Sequence, residues 1–257
     1  MTAKPSSTSH AILSFPNTHP LAYRYRPGVG PGIIFLGGFM SDMSGTKATH
    51  LEAYAATRGR SFLALDYSGH GLSGGRFEEG SIGQWGKDAL TVIESVTEGP
   101  QILVGSSMGG WIMLLVALTI PDRIAGLVGI ASAPDFTESL IWEQLPPDQR
   151  QTLMEKGRLE RPSDYDEEPY VITRHLVEEG RNHLLLQSPI DITCPVRLLH
   201  GLEDADVPYE CSLALMDALK SEDVDVTLVK GGDHRLSEPQ HLALLNATLD
   251  RLVEQVS

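Results

Sequence analysis

The chain has 257 residues, 41% of them hydrophobic and 21% charged, with a formal net charge of −14. That length supports one large α/β core rather than a small stapled domain. The acidic balance argues against nucleic acid and anionic membrane surfaces as partners.

In chain order, residues 11–15 and 21–26 pattern as an antiparallel hairpin around the 16–20 turn. Residues 32–36 form a continuous apolar strand, followed by Gly37-Gly38-Phe39 and then a helix over about 47–58. Residues 61–66 read as a strand and 82–96 as a helix. Residues 101–105 read as a strand that breaks into a helix over about 107–120, and 124–130 as the next strand. The alternation stops near residue 133. Residues 134–190 are polar and helical in pattern, broken at Pro146-Pro147 and Arg161-Pro162. It resumes with a strand at 196–200, a helix at 212–219, a strand at 224–229 and a helix at 240–256. Apolar strands alternating with helices predict a mostly parallel sheet covered on both faces. The whole chain, 1–257, is expected to be one domain. The 134–190 interruption is expected to be a helical cap over the carboxyl ends of the strands, where open α/β sheets bind ligands.

The densest signal is Gly105-Ser-Ser-Met-Gly109, a G-x-S-x-G on a strand-to-helix turn. Such a turn exposes a serine oxygen at the top of a sheet, with glycines where side chains would crowd it. Ser107 is therefore the candidate nucleophile; its alternative role is capping the following helix. Gly71-Leu-Ser-Gly-Gly75 matches the same pattern, but no helix opens at Ser73, which reads as a turn serine. A serine hydroxyl needs a base, and the base needs an orienting carboxylate. Glu203, Asp204 and Asp206 all follow the 196–200 strand, in Gly201-Leu-Glu-Asp-Ala-Asp206. His234 follows the last strand on Gly231-Gly-Asp-His234, where a loop can deliver its ring. His241 falls within the last helix, His200 reads as a packed residue shaping the acid turn, and His70 as a turn residue near the pocket. The oxyanion donors expected from this layout are the N–H groups of Met108 and Phe39. Met40, Met43, Trp142 and Leu145 are candidate walls of an acyl pocket, or plain core.

The two cysteines, Cys194 and Cys211, give no disulfide framework and fit a reducing compartment. No apolar run reaches the roughly 18 residues of a membrane span. No charged region leads into an apolar core as in a secretory signal. Residues 1–28 are acid-poor and rich in serine and threonine, faintly like a transit peptide, but a strand starting near Ala11 leaves little room for one. The cytoplasm is the expected compartment. The acidic run 164–168 reads as a solvated face, since no His or Cys ligand spacing accompanies it.

Taken together, these residues resemble the α/β-hydrolase family over nearly the full chain. More narrowly, several segments are similar to the group of mitochondrial acyl-protein thioesterases and acyl-glucuronide esterases. They are Pro31-Gly-Ile-Ile-Phe-Leu-Gly-Gly38, Ser44-Gly-Thr-Lys-Ala48, Asp66-Tyr-Ser-Gly69, Gly99-Pro-Gln-Ile-Leu-Val-Gly-Ser-Ser-Met-Gly-Gly-Trp111, Cys194-Pro-Val-Arg-Leu-Leu-His-Gly201 and Asp233-His-Arg235. In such hydrolases the acid sits three residues after the glycine of its turn, which selects Asp204 over Asp206. The resemblance implies a Ser107–His234–Asp204 triad that hydrolyses esters or thioesters through an acyl-enzyme, without metal or cofactor. Its substrate would be a small ester or an acylated protein, with no nucleic-acid partner and no stable membrane insertion. Two departures stand out: no histidine precedes the oxyanion-loop glycines, and no convincing presequence leads the chain. Two other readings remain open at this point. One is carbon–carbon bond hydrolysis on the same triad, with Arg150, Arg158 or Arg174 holding a dienoate carboxylate. The other is a ligand-binding hydrolase fold with little turnover.

Overall fold

In the computed structural model, residues 10–16, 18–161 and 170–257 are described. The acidic run 164–168 lies outside them. β1 (Ala11–Leu13) and β2 (Leu21–Arg26) form the expected antiparallel hairpin. β3 (Val29–Leu36), α1 (Thr46–Thr57), β4 (Arg60–Leu65), α2 (Ile82–Val96), β5 (Gln101–Ser106), α3 (Met108–Thr119) and β6 (Ile124–Ile130) follow in strict alternation. After the interruption come β9 (Val196–Gly201), α6 (Glu210–Ala218), β10 (Val224–Val229) and α7 (Pro239–Val256). The sheet has eight strands in the order β1-β2-β4-β3-β5-β6-β9-β10. β1–β2 and β2–β4 are antiparallel and the remaining pairs are parallel.

The period of two along each strand divides the core into two layers. Ile33, Phe35, Ile102 and Val104 pack with Leu51 and Tyr54 of α1 and with Leu245, Leu249 and Leu252 of α7. Ile34, Leu36 and Leu103 face the other way, into Trp85 and Val92 of α2, Trp111 and Ile112 of α3, and Leu215 of α6. β10 is an edge strand. Its exposure alternates along the strand, whereas β5 is buried throughout.

The chain steps from β3 outward to β4, then crosses back over β3 to β5 and continues the other way. That reversal is the switch point at which open parallel sheets form their binding crevice. The loops after β3 and β5 flank it, and they carry Phe39 and Ser107.

The interruption is not all helical. It opens with a π-helical turn (Thr137–Trp142) and α4 (Pro147–Lys156), then forms an antiparallel hairpin of β7 (Arg158–Arg161) and β8 (Tyr170–Thr173) before α5 (Arg174–Gly180). The charges of Arg158, Glu160 and Arg161 hid β7, whose alternating exposure is that of a half-solvated hairpin. Its root is tied to the sheet side. The Asp135 carboxylate accepts from the N–H groups of Leu185 and Leu186 (2.8 and 2.9 Å), and the Trp111 indole donates to the His183 carbonyl (3.0 Å).

Gly86 lies inside α2 in ordinary helical backbone. A methyl there would meet only the Leu115 side chain, at 3.7 Å, so alanine fits without displacement. Gly86→Ala is expected to stabilise by about 0.5–1 kcal/mol. Calorimetry should register a Tm rise of about 1–4 °C for a chain of this size; a fall would mean that the α2–α3 contact is tighter than described.

Candidate active site

Ser107 sits between β5 and α3 with φ 55° and ψ −122°, a conformation that an L-residue adopts only under constraint. Its N–H donates to the Ile130 carbonyl (2.9 Å), and its carbonyl accepts from Gly110 and Ala133 (2.8 and 3.1 Å). The flanking glycines are required by close approach. A Cβ on Gly109 would collide with the Leu36 carbonyl, and one on Gly105 with the Gly109 carbonyl. The second G-x-S-x-G has no such turn. The Ser73 hydroxyl donates to the Asp66 carbonyl (2.6 Å) and accepts from the Ala22 N–H (2.8 Å), a turn role as the sequence implies.

The structure brings Ser107, His234 and Asp204 together. The Ser107 hydroxyl lies 3.1 Å from His234 Nε2, and His234 Nδ1 lies 2.8 Å from Asp204 Oδ2. His234 is delivered by the loop after β10. Within that loop, Leu236 N–H donates to Asp233 Oδ1 (2.9 Å) and Lys47 Nζ donates to the Arg235 carbonyl (2.5 Å). Burial pushes the Lys47 ammonium down to about 8; Asp233 opposes the shift and Arg235 adds to it. Lys47 belongs to the Ser44–Ala48 segment, whose tie to the histidine loop is not legible from periodicity.

The Asp204 side chain has no exposed surface. Its Oδ1 accepts from the N–H groups of Asp206 and Val207 (2.9 and 2.8 Å), closing the turn on itself. Burial alone raises its carboxyl. Hydrogen bonds with His200 and His234, the positive charge His234 can carry and the Val207 N–H together outweigh burial and hold it well below the usual carboxylate range. Glu203 and Asp206 are exposed. Asp204 is hydrogen-bonded to His234, and the Asp206 carboxylate lies within 4.8 Å of the same ring.

The loop after β3 passes against the elbow. A Cβ on Gly38 would lie 3.4 Å from Ser107 Cβ. Gly38 accepts from the Ser41 N–H and hydroxyl (3.2 and 2.9 Å), a turn that carries Phe39 and Met40. Met108 is the first residue of α3, so its N–H belongs to the helix end that lacks intrahelical acceptors, where the macrodipole favours negative charge. The Phe39 ring is held edge-on by Phe77, Phe136, Trp85 and Tyr170, at centroid distances of 4.8–6.1 Å.

Other candidates lie apart from this group. His70 is buried beside Tyr67, Phe77 and Trp85, and burial pushes its imidazole below the usual value. His241 is buried in α7. Met43 packs in the α1 layer while Leu145 packs in the α2 layer, so the four residues proposed as an acyl wall do not form one surface. Arg158 pairs with Glu160 (2.6 Å) and Arg174 with Glu178 (3.5 Å), and Arg150 donates to the Glu143 carbonyl (2.8 Å). The Arg150 Nε is buried with no hydrogen-bond partner among the described residues. A cavity of about 350 Å³ beside Asp42, Met43 and Leu72 includes no member of the Ser107 group.

This fold and this strand-end constellation are those of an α/β hydrolase, and the chain belongs to the α/β-hydrolase family. A family model described as serine aminopeptidase, S33, matches residues 33–166. The chain is 43% identical to rat "Palmitoyl-protein thioesterase ABHD10, mitochondrial" over 251 residues, 97% of this chain and 84% of the relative. The human protein of the same name is 42% identical, over 97% of this chain and 82% of the relative. Among solved structures, mouse alpha/beta hydrolase domain-containing protein 10 superposes with a TM-score of 0.91 at 42% identity. It covers 97% of this chain and 100% of that one. A putative hydrolase from Agrobacterium vitis S4 gives 0.91 at 40% identity, with the same coverage.

These names correct the cytoplasmic expectation: relatives matched over nearly the whole chain are mitochondrial, which points to that compartment instead. Free thiols fail to separate the two locations, because they also persist in reducing interiors other than the cytosol. Among the described residues, no helix is long and apolar enough to cross a membrane.

The depressed Asp204 carboxyl binds its proton more weakly in the folded chain than in the unfolded one. Its stabilising contribution is complete above the unfolded carboxylate value of about 3.9 and is lost as pH falls towards the folded value. Urea unfolding should therefore show wild type losing stability relative to Asp204→Asn between pH 7 and pH 3. A difference that stays level or grows would mean that the charge is not what the two histidines stabilise.

Proposed function

We propose that the chain is a serine hydrolase of carboxylic esters and thioesters, with Ser107 as nucleophile, His234 as general base and Asp204 as orienting acid. The observation that carries this is His234, which bridges Ser107 Oγ and a buried carboxylate through its two ring nitrogens. Ser107 Oγ attacks the acyl carbon as its proton passes to His234 Nε2, and Asp204 stabilises the imidazolium. The N–H groups of Phe39 and Met108 receive the negative charge that develops on the acyl oxygen. His234 then gives the proton to the departing thiolate or alkoxide, leaving an ester on Ser107. Water repeats the cycle: its proton goes to His234, its oxygen to the acyl carbon, and the carboxylic acid leaves as Ser107 regains its proton. The groups named carry both half-reactions, so the chemistry calls for neither metal nor cofactor.

The relatives named as palmitoyl-protein thioesterases support palmitoyl thioesters on protein as the substrate class. The sequence resemblance adds acyl glucuronides as a second candidate acyl donor. We assign the 134–190 interruption as a cap, because Tyr170 of its hairpin reaches the Phe39 ring beside the oxyanion loop.

The test is turnover of four substrates by wild type and Ser107→Ala: a short-chain ester, a palmitoyl thioester, an acyl glucuronide and a meta-cleavage dienoate. Ser107→Ala is expected to lose more than about a thousandfold on every accepted substrate while remaining folded. Full activity in that variant ends the assignment, and turnover of the dienoate alone would transfer the site to carbon–carbon cleavage. Reaction of wild type with a fluorophosphonate probe separates an enzyme from a binder, which would leave Ser107 unlabelled.

Two variant pairs test the individual roles. Asp204→Asn should fall by about 10⁴ in kcat and Asp206→Asn should stay within about twofold of wild type, since its side chain is exposed; the reverse ranking moves the acid. Ser73→Ala should retain activity but lose about 1 kcal/mol of stability with its two hydrogen bonds.

A further inference from the structure

We propose that His200 is a positioning residue for Asp204, with its tautomer fixed by Ser212, so that the line from Ser107 through His234 to Asp204 continues through two more buried side chains. This rests on the assignment of Asp204 as the orienting acid.

His200 closes β9, and both His200 and Ser212 have no exposed surface. Its Nε2 lies 2.9 Å from the Val207 carbonyl and 3.2 Å from Asp204 Oδ2. A carbonyl and a carboxylate only accept, so Nε2 must carry the proton and share it between them. The other tautomer would set a lone pair against two acceptors. In the neutral ring Nδ1 is then the bare nitrogen, and the Ser212 hydroxyl, 2.7 Å away, donates to it. Every polar atom of the pair is thereby satisfied in one arrangement, although neither side chain meets water.

The consequence lies on Asp204. Its Oδ2 is held between two rings delivered by different strands, His200 from the end of β9 and His234 from the loop after β10. Its Oδ1 is held by two backbone donors. The carboxylate cannot turn to offer His234 a different oxygen without breaking bonds on both sides. Each donor also draws negative charge from Oδ2, so His200 weakens the pull of Asp204 on the His234 proton. Removing His200 frees the carboxylate to swing and makes it a stronger base towards His234. Other titratable groups near Asp204 are Asp206, exposed on the same turn, and Cys211 on α6. Burial, Glu210 and Asp204 push the Cys211 thiol up, so it stays neutral where the enzyme is assayed.

The test uses the full chain and p-nitrophenyl butyrate, with His200→Phe, His200→Gln and Ser212→Ala. Phenylalanine keeps the ring and removes both nitrogens, whereas glutamine returns an N–H donor near the Nε2 position. His200→Phe is expected to lower kcat about tenfold or more with KM within about twofold. The acid limb of its kcat/KM profile should move up by about half a pH unit or more, and the low-field proton resonance of the His234–Asp204 hydrogen bond should shift. His200→Gln should recover most of all three, and Ser212→Ala should move the acid limb in the same direction by less.

A folded His200→Phe with the wild-type acid limb and resonance overturns the proposal, whatever its kcat. If His200→Phe does not fold, Ser212→Ala decides: an unmoved acid limb and resonance overturn it. A fall in activity that His200→Gln does not repair also overturns it, because it reduces His200 to a packing residue of the turn. Failure of the triad itself is distinct: Ser107→Ala would then remain active.

Discussion

Ser107 can hold its φ of 55° only because the backbone on either side of it is fixed from three directions. Ile130 accepts its N–H, Ala133 and Gly110 donate to its carbonyl, and Gly109 is pressed against the end of β3. Such a conformation costs on the order of 1–3 kcal/mol, and two or three backbone hydrogen bonds at about 1 kcal/mol each are of the size needed to offset it. The same contacts place the rest of the site. Gly109 cannot approach the Leu36 carbonyl without bringing the Gly37–Phe39 loop to the serine, so the Ser107 turn and the Phe39 loop are one packing event. A Cβ at Gly109 would therefore disturb both at once.

The Phe39 ring extends this coupling outward. It is edge-on to Phe77 and Trp85 from the sheet side and to Phe136 and Tyr170 at the base and hairpin of the interruption. Aromatic pairs of this geometry contribute about 0.5–1.5 kcal/mol each beyond the area they bury. The loop that carries Phe39 is thus clamped by Phe136 and by Tyr170 of β8. The interruption is in turn rooted by Asp135, whose carboxylate accepts from the backbone N–H groups of residues 185 and 186 and holds them down. Displacing β8 would loosen the backbone around Phe39 without touching the hydrogen bonds among Ser107, His234 and Asp204.

Elements with strong period and clear ends were legible in the chain. The strands at 124–130 and 224–229 and the helix at 82–96 match their predicted bounds, because apolar runs and a Ser81 cap fix them. The meeting of Ser107, Asp204 and His234 was legible too, since each follows a strand end. The β7–β8 hairpin was not, because its charged residues mask the alternation. The contact of His200 with Asp204 was also hidden. Sequence places His200 at the end of a strand, but only the turn's closure brings Asp204 back onto its ring. The ties from Lys47 to the histidine loop and from Asp135 to residue 185 span long sequence separations, and no local pattern records them.

The strand order explains why the interruption falls where it does. Asp204 and His234 follow the adjacent strands β9 and β10, and their loops touch directly: a Cβ on Gly201 would collide with the Gly232 carbonyl. Ser107 follows β5, with β6 between it and β9, so β5 and β9 stand about 10 Å apart. Two hydrogen bonds and one imidazole span that gap, and they must cross above the end of β6. A loop after β6 that stayed in the plane of the strand ends would occupy the place of the histidine ring. The chain instead turns sharply at Ala131, with φ 46° and its N–H on the Leu199 carbonyl, and is tied to Ser107 through the Ala133 N–H. The strand between Ser107 and Asp204 is the one that must keep the space above its own end clear, so the longest excursion of the chain begins at β6.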